Sequence, residues 1–195
     1  MKHIDTFNQL AARYDTPNNK KMSKLATEAI RRFLDKKSTN KAADLGCGTG
    51  LIGLELLKDV DAMLFVDASE KMLEQVELKL KDQPTDKAEV LRMDIDKNLQ
   101  LPYKVDTIIL SLVLHHIPNY QTLLTNLYDQ LTDNGQLLII EMEKQAHGHG
   151  FEQTELTSEL SRLGYQHIQS EIFYDAKKES DTQNTSRFIL SAQKI

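Results

Sequence analysis

Gly46-Cys47-Gly48-Thr49-Gly50 sets three glycines at alternate positions just after an aspartate, Asp44. Glycine reaches positive φ without strain and lets a ligand approach the backbone with no Cβ in the way. Between a strand and a helix, such a turn offers free N–H groups and the positive end of a helix dipole, which suits a nucleotide. The spacing narrows the choice. Dinucleotide sites use G-x-G-x-x-G, whereas this chain reads G-x-G-x-G, and no Gly-Lys-Ser/Thr ending of a P-loop follows Gly50. The Asp44 carboxylate would repel a pyrophosphate and tolerate a cationic amino group. Asp67 and Asp94 close the next two apolar runs. In a doubly wound sheet an acidic residue at such an end binds ribose hydroxyls, and a carboxylate at the following strand end can accept from an adenine amino group. Each aspartate taken singly could equally be a turn or capping residue. Three at successive strand ends beside the glycines make a nucleoside constellation.

Histidine is the side chain whose ordinary titration lies nearest neutrality, so His115 and His116, after the fourth apolar run, are candidate general bases. His147 and His149 share a loop with Gly148 and Gly150 and are candidates to face a substrate. Their i, i+2 spacing alone does not make a metal site, because no cysteine or carboxylate constellation completes it. Cys47 reads as a small side chain in a turn whose backbone approaches the ligand, not as a nucleophile. Tyr14 either covers the ligand or packs.

The elements that must position these groups begin with an amphipathic helix over 19–35, its apolar stripe formed by Met22, Leu25, Ala26, Ala29, Ile30 and Phe33. From about Lys41, short apolar runs alternate with helical stretches, the signature of βαβ units around a parallel sheet. Strands are expected at 42–45, 63–66, 88–93, 105–111 and 136–142. Helices should begin near Leu51, run from Ser69 to about Lys81, and run from Asn119 to about Leu131. A helix over 152–163, stopped by Gly164, then precedes two strands, 167–174 and 187–192. Joined without a helix, that pair should be antiparallel. The result is an α/β fold on a mixed, mostly parallel sheet. One domain is expected, with 1–35 as an N-terminal helical cap, 41–142 as the ligand-binding core and 143–195 as the C-terminal helix and strand pair.

The 195 residues, 40% hydrophobic and 27% charged, suffice for one buried core. No run is long enough to span a membrane, and no signal-type N-terminus is evident. A single cysteine excludes a disulfide framework, and a cytoplasmic setting fits. A net charge of −5 without a basic stripe disfavours bulk nucleic-acid binding. A small-molecule partner fits better. The oligomeric state is left open.

These motifs, in this order, resemble the class I S-adenosylmethionine-dependent methyltransferases, small-molecule branch, over nearly the whole chain. Asp44 to Gly50 is similar to that family's first motif, Val66-Asp67-Ala68-Ser69 with Met72-Leu73 to the segment after it, and Arg92-Met93-Asp94-Ile95 to its adenine-contacting segment. Ser111 to Pro118 resembles the fourth-strand motif, and Phe7 to Asp15 a segment that closes over the cofactor. The resemblance implies S-adenosyl-L-methionine as cofactor. Its methionyl end would lie on Gly46, Cys47, Gly48 and Gly50 near Asp44, its ribose on Asp67 beside Ala68 and Met72. Its adenine would lie on Asp94 with Met93 and Ile95, with Tyr14, Ser111 and Leu112 completing the pocket. It also implies a Rossmann-like seven-stranded sheet of order 3-2-1-4-5-7-6, the last strand antiparallel. The Asn/Asp-Pro-Pro-aromatic motif of adenine-directed amino methyltransferases is replaced by Ser111-Leu112-Val113-Leu114, which disfavours that class. A polymer acceptor (RNA or protein), or a cofactor-binding protein without catalysis, is the alternative reading.

Overall fold

The central strands carry unbroken apolar runs, Met63–Val66, Ile108–Leu110 and Leu137–Ile140, because neighbouring residues there point to opposite, covered faces. The computed structural model describes residues 2–35, 40–145, 148–182 and 184–195. Its strands are β1 (Lys41–Leu45), β2 (Ala62–Asp67), β3 (Ala88–Arg92), β4 (Val105–Ser111), β5 (Leu131–Met142), β6 (Gln166–Tyr174) and β7 (Arg187–Gln193). They form one sheet of order β3-β2-β1-β4-β5-β7-β6. Pairing is parallel from β3 through β5, and β7 is antiparallel to both β5 and β6. This is the Rossmann-like methyltransferase order that the sequence resemblance implies.

The two-residue period of a strand sorts the core into two layers. Ala43, Leu45, Leu64, Val66, Ile108, Leu110, Leu137 and Ile139 face one side. There they meet Leu123, Leu124 and Leu127 of α5 (Tyr120–Gln130) and Leu156 and Leu160 of α6 (Gln153–Arg162). Ala42, Met63, Phe65, Ile109, Leu138 and Ile140 face the other. Above them lie Ala26, Ala29 and Ile30 of α2 (Pro17–Phe33), Leu56 of α3 (Gly53–Leu56) and Val76 of α4 (Glu70–Asp82). Each fully buried Leu, Ile or Phe contributes about 1.5–3 kcal/mol relative to exposure.

Caps set the helix limits. The Ser69 hydroxyl accepts from the Met72 N–H at 3.1 Å, as expected for the start of α4. The second helix starts two residues earlier than the apolar stripe indicates, because Thr16 accepts from the Asn19 N–H at 3.1 Å and Pro17 occupies the first turn. Before it, α1 (Lys2–Leu10) and a 3-10 turn at Ala11–Arg13 pack on α4. The strand placed at 136–142 starts at Leu131, which pairs with Val105. Asn134, at φ 60, and Gly135 make an irregular step before Gln136 pairs with Thr107. Among the described residues no helix is long and apolar enough to cross a membrane.

Parallel strands bring their carboxyl ends, Leu45, Asp67, Ser111 and Met142, to one edge. Reversed β7 brings its first residue, Arg187, there instead, paired with Met142.

Candidate active site

At the end of β1, the backbone N–H groups of Gly46 and Cys47 donate to the Val66 carbonyl at 2.7 and 3.0 Å, turning the chain towards β2. Gly46 has φ +71, and a Cβ there would come within 2.5 Å of Val113 Cγ2. Gly48, at φ +56, has nothing within 4 Å of the same point, so the turn is open on that side. Its N–H donates to Asp67 Oδ2 and the Ser69 N–H to Oδ1, both at 2.8 Å. Asp67 is thereby fixed with lone pairs to spare on both oxygens. Burial pushes its titration up against the pull of these N–H groups.

Asp44, 2% exposed, accepts from the Gly53 N–H at 3.1 Å. Burial pushes its carboxyl up to about 7; the Gly53 bond opposes this and the charge of Asp67 adds to it. A cation beside Asp44 would favour its ionised form. Burial, reinforced by Asp44, pushes the Cys47 thiol well up, which disfavours the nucleophilic thiolate form.

These groups line one cavity of about 360 Å³, a size that suits a small ligand. Asp67, Ala68, Met72, Met93, Asp94 and Ile95 come to it from β2, β3 and the segments after them. Tyr14, Asp44, Gly46, Cys47 and Gly48 line it beside β1, and Ser111, Leu112, His115 and His116 after β4. Asp94 pairs with Lys97 at 2.6 Å, and Lys97 also lines the cavity. Leu112 holds a positive φ of 57, a strained conformation for a residue with a side chain, of the kind found at functional sites. Gly50 does not line the cavity. A Cβ there would press on Val76 and Leu54 at 3.1 and 3.2 Å, so this glycine lets α3 and α4 approach. His149 is exposed in the turn that the Glu143–Phe151 bridge closes and does not line the cavity, contrary to the substrate-facing expectation. His147 lies outside the described residues.

The histidine pair brings in a residue that sequence reading missed. His115 Nδ1 lies 3.0 and 3.2 Å from the two oxygens of Glu141, whose side chain is fully buried at the end of β5. The same carboxylate accepts the backbone N–H of His115 at 3.3 Å and of Met142 at 3.2 Å. The His116 ring lies 4.0 Å from that of His115, and Phe7 meets it edge-on at 5.4 Å. A charged residue directly after the apolar run 137–140 was the available signal for Glu141. Arg187 also lines the cavity, and nothing in its sequence context singled it out.

A methyltransferase-domain family model matches residues 43–137, which span the glycine turn, the three aspartates and the histidine pair. The match identifies a methyltransferase domain, in line with the sequence resemblance to the class I S-adenosylmethionine-dependent methyltransferases. It is 25% identical to an uncharacterised methyltransferase of Schizosaccharomyces pombe, over 85% of this chain and 72% of that one. A Haemophilus influenzae protein of uncharacterised role is 38% identical over 102 residues, half of this chain and 40% of the Haemophilus one. The fold is similar to that of an S-adenosylmethionine-dependent methyltransferase from Aquifex aeolicus (TM-score 0.74, 18% identity, 96% of this chain and 98% of that one). The donor of this family fits the residues present. The turn is open at Gly48, Asp67 is fixed with free lone pairs, and Asp44 is a buried acid that a cationic amino group would ionise.

Proposed function

We propose that this methyltransferase transfers a methyl group to a small-molecule acceptor, with His115 as the base that removes the acceptor's proton. The observation that carries the reading is the His115–Glu141 pair on the wall of the cavity that the glycine turn also lines. When bound, S-adenosylmethionine supplies an electrophilic methyl carbon on a sulfonium sulfur. Asp67 and Asp94 would hold its ribose and adenine, Met93 and Ile95 would pack on the adenine and Met72 beside the ribose, and Asp44 would sit beside the amino group. Glu141 accepts from Nδ1–H of His115, which leaves Nε2 as the proton acceptor and stabilises the imidazolium once the proton arrives. His116, stacked on His115 and met by Phe7, would shape the acceptor's approach. The charge balance, −5 with no basic stripe, favours a small acceptor in the cytoplasm over a nucleic acid.

The test is S-adenosylhomocysteine formation against a panel of hydroxyl, amine, thiol and carbon-acid acceptors. Turnover on at least one is expected. Glu141→Gln should lower kcat by about a hundredfold to ten-thousandfold, the usual range for a disabled general base, with KM for the donor unchanged. Donor binding without turnover on any acceptor would favour a binding protein and sink the catalytic reading.

A further inference from the structure

Arg187 opens β7 opposite Met142, and its side chain lines the cavity together with His115. Its Nε–H is buried and has no acceptor among the described residues. The neighbouring carboxylate, Glu141, is committed to His115 and to the Met142 N–H. Tyr14 and Tyr174 also stand near the guanidinium, and burial works against its charge. A buried donor on a charged group costs stability when unpaired, and a guanidinium fork matches the planar oxygens of a carboxylate or phosphate. The acidic lining residues Asp44, Asp67 and Asp94 belong to the β1–β3 side of the sheet order, whereas Arg187 belongs to the β5–β7 side. Of the two lining cations, Lys97 is paired with Asp94 on the acidic side, which leaves Arg187 as the cation on the β5–β7 side.

We propose that Arg187 receives an oxyanion of the methyl acceptor, a carboxylate or phosphate, and so sets the acceptor's nucleophilic atom beside His115. This rests on the methyl-transfer reading above. The donor also carries a carboxylate, so the experiment must separate the two sources. Binding of S-adenosylhomocysteine is measured by calorimetry in the full chain and in Arg187→Gln and Arg187→Lys. The S-adenosylhomocysteine complex is then titrated with hydroxybenzoates, with the matching hydroxybenzamides, with short hydroxy acids and their amides, and with inorganic phosphate.

The expected result is that acids or phosphate bind and the amides bind at least tenfold more weakly. Arg187→Gln should abolish that preference, Arg187→Lys should restore part of it, and S-adenosylhomocysteine affinity should stay within about twofold. Two results overturn the proposal. One is no preference for any oxyanion over its amide. The other is a tenfold loss of S-adenosylhomocysteine affinity in Arg187→Gln, which would assign the guanidinium to the donor's carboxylate. Failure of the unaltered chain to bind S-adenosylhomocysteine would instead overturn the donor site itself, a separate outcome read in the first titration.

Discussion

Asp44 keeps one backbone N–H as partner and has Asp67 as a like-charged neighbour, so burial decides its titration, at about 7. The ordinary value is 3.8. The folded chain therefore holds this proton over a range in which the unfolded chain has released it. Unfolding free energy should fall as pH rises from about 4 to about 7, by about 1.4 kcal/mol per unit from this group, and level off above. Asp44→Asn should flatten that segment in urea unfolding at pH 5, 6, 7 and 8. Donor affinity should rise over the same interval in the native chain and not in the variant, since a cationic ligand favours the ionised acid. At this scale the aspartates and glycines were legible because backbone geometry and ligand charge demand those residue types. Glu141 and Arg187 were not, because their roles exist only once β4, β5 and β7 lie side by side.

The short helix α3 depends on Gly53, whose N–H meets Asp44. A Cβ at Gly53 would lie 2.5 Å from Phe65 Cε1 and 2.8 Å from Asp44 Oδ2. Gly53→Ala would gain up to about 1 kcal/mol in helix propensity, but overpacking of this kind costs about 1–3 kcal/mol. The variant should be net destabilised by denaturant unfolding and should bind S-adenosylhomocysteine more weakly, because Asp44 must move. An unchanged midpoint would contradict this packing account. Strand and helix types were legible here from periodicity, and boundaries where a cap or glycine marks them, as at Ser69 and Gly164. The limits at Pro17 and Leu131 were less so, since a polar cap and an irregular step at Asn134 override the apolar pattern.

Across the whole molecule, the N-terminal segment is tied to the site by a few polar contacts. The Ser69 hydroxyl donates to Asn8 Oδ1 at 2.8 Å. Asp15 accepts from the Thr49 hydroxyl at 2.5 Å and pairs with Lys79 at 2.7 Å. At about 0.5–1.5 kcal/mol per hydrogen bond, Asn8→Ala with Asp15→Asn should speed S-adenosylhomocysteine release by about tenfold in stopped-flow measurements. Thermal unfolding should stay cooperative, because the two-layer core lies elsewhere. A release rate equal to that of the unaltered chain would detach this segment from ligand retention.

The reversed direction of β7 reaches further than its hydrogen bonds. A forward strand presents the loop that follows it at the ligand edge, but β7 presents Arg187 and the described residues just before it, anchored by the Tyr174 hydroxyl on Asp181 and by the Ala176 N–H on Ser186. Of the residues proposed for the methyl donor, Asp44 and Asp67 lie more than a hundred codons upstream of Arg187. On the proposal for Arg187, substitution at this end of β7 would change which molecule is methylated and leave Asp44, Asp67 and Asp94 untouched.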